Sequence, residues 1–276
     1  MSRSGVSERI RFLRARVAAI EAGGQAPPRA PVPAPDADRF DALLGAGRAG
    51  LSEIFPARAP DAPAAAAFAV AMALRARAAR RDGALVFIIE DLGAQEFGLP
   101  YGRGLAQAGL DLSRFALIRT RRPRETLWAM EEALKSPACA AVVAETFLDA
   151  RLYDLSASRR LLLAARRGGA LGLVASLASP QARLSSAAEL RVEVAAAAPG
   201  VAGARRSPPL SPAAPFRWRL RFAKARAGRW GEIDPAEWRE IAFDPQQAVF
   251  RHAFPERFPS QACDRPAAAP PSRRRA

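Results

Sequence analysis

Over most of its length the chain alternates between short runs of apolar residues and longer amphipathic stretches. Apolar runs at 51–55, 85–89, 115–119, 140–143, 171–176 and 190–194 predict strands. The stretches between them carry helix signals. Asp61 and Pro63 open one helix, and Arg75, Arg77, Arg80 and Arg81 load its C-terminal end, where the helix dipole favours cations. Pro123 opens a second that runs to Lys135, and a third at 156–167 is ended by Gly168 and Gly169. Strands and helices in regular succession predict an α/β fold, with a mostly parallel sheet between crossover helices in three layers.

Two segments break this rhythm. Phe216, Trp218, Leu220 and Phe222 alternate with Arg217, Arg219 and Arg221, so one face of a strand is apolar and the other basic. A turn at 228–234 and a second strand at 238–243 complete an antiparallel hairpin, expected on the sheet edge. Near the N-terminus, Ile10, Leu13, Val17 and Ile20 recur at helical spacing within 7–22, with Arg9, Arg11, Arg14 and Arg16 around them. So short a helix is marginal alone in water. Its apolar stripe is expected to dock on a partner, with docking on the chain's own core as the alternative. Pro/Ala-rich stretches at 25–38 and 195–215 read as linkers, and 259–276 reads as a disordered tail. The expected organisation is an N-terminal helix at 1–24, a linker at 25–38, an α/β core at 39–258 carrying the hairpin near 216–250, and the tail.

Half of the 276 residues are hydrophobic, enough for a sizeable core. Lys and Arg number 42 against 27 Asp and Glu, a formal charge of +15. An anionic partner would suit that balance, and so would a GC-rich genome that favours Ala, Arg and Pro codons. The hairpin face of Arg217, Arg219, Arg221 and Lys224, with Trp230 nearby, is the candidate nucleic-acid surface. A solvated edge strand whose charges deter aggregation explains it equally well. Two cysteines, Cys139 and Cys263, lack the spacing of a zinc site or a disulfide framework. The N-terminus has no apolar signal core and the apolar stretch at 64–74 is too short to span a bilayer, so a soluble, cytoplasmic protein without a membrane partner is expected. With His252 the single histidine, Ser–His triads and His-metal clusters are nearly excluded.

The junction between the first strand and first helix carries the sharpest chemical message. Its sequence, LSEIFPARAPDAPAA at 51–65, stands where a phosphate-binding loop belongs. Such a loop needs glycines so that successive N–H groups converge on the anion, a lysine for the outer phosphates and a hydroxyl for magnesium. Pro56, Pro60 and Pro63 remove donors instead. No cofactor is expected. The glycines of the segment YGRG at 101–104 read as a tight turn.

The order of these pieces resembles a known family. FDALLGAGRAGLSEIF at 40–55 is similar to the opening of a RecA-type ATPase core, LVFIIE at 85–90 to the strand that carries the catalytic glutamate, and AAVVAE at 140–145 to the strand that ends in the magnesium-directing aspartate. With RGLAQAGLDLSR at 103–114, WAMEEAL at 128–134 and DLSASRRL at 154–161, the set resembles the ImuA family, RecA-like accessory proteins of bacterial damage-induced mutagenesis. The resemblance implies a RecA-like, P-loop-type fold. It places the loop lysine near Ala62, the magnesium hydroxyl near Pro63 and the aspartate near Ala144, each lost, so the chain is expected not to be an enzyme. Glu90, Asp91 and Glu145 are the carboxylates left near the strand ends, expected to be solvated or capping. The implied role is bridging an ImuB-type Y-family protein, an error-prone polymerase III alpha-type subunit and RecA in translesion synthesis. A RecA-like NTPase with an atypical loop and a basic DNA-binding modulator of recombination stand as alternatives.

Overall fold

The computed structural model describes residues 44, 48–80, 82–178, 185–197, 216–225, 237–245 and 247–252. The N-terminal stripe of Ile10, Leu13, Val17 and Ile20, most of the second linker, Trp230, Cys263 and the tail lie outside them.

Nine strands form one sheet: β1 Gly50–Pro56, β2 Ala84–Glu90, β3 Phe115–Thr120, β4 Cys139–Thr146, β5 Leu171–Ser176, β6 Leu190–Ala196, β7 Phe216–Ala225, β8 Arg239–Asp244 and β9 Val249–His252. Their order is β3-β2-β4-β5-β1-β6-β7-β8-β9. Pairing is parallel from β3 through β6 and antiparallel from there to β9. The chain is therefore a mixed α/β protein with a large, mostly parallel sheet.

Helix α1, Ala62–Ala79, packs on one face, whereas α4, Pro123–Lys135, and α5, Leu155–Gly168, pack on the other. Short helices α2, Asp91–Phe97, and α3, Gly102–Gln107, fill the connection from β2 to β3. This layering explains the strand patterns. β1, β4 and β5 are buried throughout because helices cover both sides, while β6 and β7 alternate because α1 covers only one. Alanines along α1 let it lie close to the sheet, with Phe68 reaching past it to the rings of Trp218 and Phe250 at 5.4 and 5.6 Å. The stretch Ala59–Ala79 is long and apolar enough to cross a membrane by length and composition; here half of it is buried inside the fold.

Several expectations change. The hairpin of β7 and β8 is not at the edge, because β9 extends the sheet beyond β8. Residues 195 and 196, read as linker, belong to β6. Asp61 stands at the N-cap of α1, but its side chain does not cap the helix; it accepts from the Ala196 N–H at 3.1 Å and from Arg58 Nε at 3.3 Å, tying the turn to β6. Gly102 and Gly104 lie inside α3 with ordinary backbone angles, and the left-handed turn falls at Gly98, φ 85°. Arg80 does more than answer a dipole. Its guanidinium donates to the carbonyls of Pro137, Cys139 and Gly169, joining the starts of β4 and β5.

Gly168 shows how tightly the α4–α5 layer closes. A Cβ there would overlap the Leu134 carbonyl oxygen and press on the backbone of Lys135. Because backbone atoms cannot swing aside, Gly168→Ala is expected to cost about 1–3 kcal/mol, read as a lower urea midpoint with unchanged slope.

Candidate functional site

In parallel α/β sheets ligands bind outside the carboxyl ends of the strands. Here those ends are Pro56, Glu90, Thr120, Thr146, Ser176 and Ala196. The turn from β1 to α1 is tight, and three of its N–H groups already have acceptors. Ala57 N–H donates to the Val194 carbonyl at 2.8 Å, Asp61 N–H to Arg58 O at 2.8 Å, and Ala62 N–H to Ala59 O. Pro60 and Pro63 have none to give. The Asp61 carboxylate, 3% exposed and paired with Arg58 at 3.3 Å, stands beside the N-terminus of α1, an end that suits a carboxylate.

The neighbouring acids are mostly engaged in holding strands. Glu90 accepts from Thr146 Oγ1 at 2.7 Å and from the Phe147 N–H at 3.2 Å, latching β2 to β4. Asp91 pairs with Arg119 at 2.7 Å. Ala144 is fully buried among residues of the α4–α5 side. Glu145, one residue on, points to the opposite side. It is 4% exposed, no hydrogen bond or ion pair reaches it from the described residues, and burial pushes its carboxyl up to about 7. It lines an apolar groove of about 380 Å³ along α1. Among the described residues no group of three His, Cys, Asp or Glu side chains could hold a metal ion.

One more buried acid was not singled out by the sequence pattern. Glu53, in the middle of β1, is fully buried; Tyr153 Oη and Arg191 Nε each donate to it at 2.7 Å. Arg191 also reaches Ser186 Oγ at 3.1 Å, so the network pins β1, β6 and the loops beside them. A lone carboxylate within an otherwise apolar strand was the available signal, since a buried charge demands partners. Burial, then Glu53, raises the Tyr153 phenol well above its usual range.

The basic hairpin face is more balanced than its sequence suggests. Arg221 pairs with Glu193, Lys224 Nζ donates to the Ser186 carbonyl at 2.7 Å, and Arg219 stands opposite Glu240. Arg219 and Arg221 lie over the ring of Trp238, at 5.5 and 5.1 Å. Arg217 is opposite Ala242. Burial lowers the Lys224 ammonium from its ordinary range. Cations already answered by carboxylates and carbonyls have less to offer a phosphate, so the double change Arg221→Ser and Lys224→Ser is expected to alter the salt slope of single-strand DNA retention by less than about 1.

No family model matches the chain. It is 33% identical over 193 residues to Protein ImuA of Caulobacter vibrioides, from strain NA1000 / CB15N and equally from strain ATCC 19089 / CIP 103742 / CB 15, across 66% of this chain and 72% of theirs. The crystal structure of SulA from Pseudomonas aeruginosa is a distant structural neighbour, with 24% identity and a TM-score of 0.33 over 45% of this chain and 94% of that one. With two thirds of the curated relative covered at this identity, the chain belongs to the ImuA family.

Proposed function

We propose that this chain is a non-catalytic accessory factor of damage-induced translesion DNA synthesis in the cytoplasm. Its RecA-like core joins an ImuB-type Y-family protein to an error-prone polymerase III alpha-type subunit, and RecA is a further contact. The apolar stripe of Ile10, Leu13, Val17 and Ile20 supplies one of these contacts. One observation supports the proposal: in the β1–α1 turn the N–H groups of Ala57, Asp61 and Ala62 already have acceptors, Pro60 and Pro63 have none to give, and the Asp61 carboxylate stands at the N-terminus of α1. A protein that cannot grip the anion has no nucleotide state to report, so its assembly is set by surface contacts alone.

The test is co-purification with the ImuB-type protein after nuclease treatment. Retention is expected to be the same with and without magnesium and ATP, and to fall by roughly tenfold for Leu13→Asp with Val17→Asp, since charges on the stripe cannot be buried without cost. Retention that requires nucleotide would favour an NTPase with an atypical loop. Retention lost on nuclease treatment would favour a DNA-binding modulator.

A further inference from the structure

An apolar groove of about 380 Å³ runs along α1. Ala66, Ala67 and Val70 face it from one side of α1, and the small side chains at this spacing leave room for close helix approach. Tyr101 and Phe216, 68% and 48% exposed, add open aromatic surface to its lining. At its floor lies Glu145, almost fully buried and without a partner among the described residues. Apolar walls of this extent want an apolar occupant, and the isolated carboxylate wants a cation on it.

The chain itself carries such an occupant. Residues 7–22 have an apolar stripe with Arg9, Arg11, Arg14 and Arg16 beside it. A guanidinium on a long stem can reach a recessed carboxylate while its methylenes stay on the apolar wall. The tether permits it. The chain joins the described fold at Leu44, which is 2% exposed and packs into the α1-side cluster that also contains Trp218 and Phe243. The about 21 residues between 22 and 44 are Pro-rich and span up to ~65 Å when extended, more than the groove requires.

We propose that residues 7–22 dock as a helix in the α1 groove of their own chain, with an arginine on Glu145. Partner proteins then compete with the groove for the same stripe, and the free chain is held in a sheltered form. The inference goes beyond the bridging role and is tested with no partner present.

Hydrogen exchange on the full chain decides it. Amides of residues 7–22 are expected to exchange at least roughly tenfold more slowly than those of the tail at 259–276, since a helix this short is not protected unless docked. Ala67→Trp, which fills the groove from an exposed position, should bring them to the tail's rate, and Tyr101→Ser and Glu145→Gln should each shorten the protection by about threefold or more. Slow exchange in β2 and β4 identifies variants that remain folded. Protection unchanged on ~tenfold dilution supports docking within one chain. Tail-like exchange of 7–22 in the unmodified protein would overturn the proposal, as would protection that survives all three substitutions. Protection that fades on dilution would also overturn it, placing the helix on a second copy.

Discussion

Replacing Glu53 with alanine is expected to lower unfolding free energy by about 3–5 kcal/mol, because removing one member of a buried charged network strands the others. The Arg191 guanidinium would lose its carboxylate, and the Tyr153 hydroxyl its acceptor, at sites that are largely or wholly shut off from water. Tyr153→Phe should cost about 1–3 kcal/mol, the penalty of an acceptor left short of one donor. The two losses should not add. In the Glu53→Ala background the phenol has already lost its partner, so Tyr153→Phe should cost markedly less there. Urea unfolding of the four proteins checks this. Additive losses would show that the network acts as separate contacts.

Phe68→Ala is expected to cost about 3–5 kcal/mol, the range for truncating a buried aromatic ring. Phe68 is the link between α1 and the antiparallel part of the sheet, where it meets Trp218 edge-on at 5.4 Å and Phe250 at 5.6 Å. Phe250 in turn packs on Phe243 at 4.9 Å. The loss should therefore be uneven. Hydrogen exchange should rise first in β7, β8 and β9, with the parallel strands still protected, because a cavity loosens the unit that lines it. Uniform loss across the sheet would show instead that the antiparallel strands unfold together with the rest.

How much of this was legible in sequence depended on how local the signal was. β1, β2, β4 and β5 each announce themselves as an apolar run bounded by turn residues, and helices on both faces explain why. β3 was legible too, although Leu117 and Ile118 remain 39% and 37% exposed on its open edge. β9 was missed because four residues, with only Val249 and Phe250 apolar, form no run. Its absence made the hairpin look like the edge. The α2 and α3 helices were missed because each is short and contains glycine. Asp61 was correctly placed at a helix start and given the wrong bond, since its acceptor role depends on β6, 135 residues further on.

The prolines of the β1–α1 turn were readable because they act locally. The Glu53 network was not, because its partners stand 100 and 138 residues away. The groove was also hidden. Its walls come from α1, the α2–α3 connection and β7, and only the fold brings them beside Glu145.

Thermal unfolding of the full chain with increasing magnesium and ATP tests the central claim most directly. A ligand that binds the folded state alone must raise stability, by about 2.7 kcal/mol at a hundredfold excess over Kd. With Asp61 at the helix N-terminus, prolines at 60 and 63 and three of the turn's N–H groups engaged, the midpoint is expected to stay where it is up to millimolar nucleotide. A midpoint that climbs steadily with nucleotide concentration, and returns to its starting value when magnesium is chelated, would contradict the account.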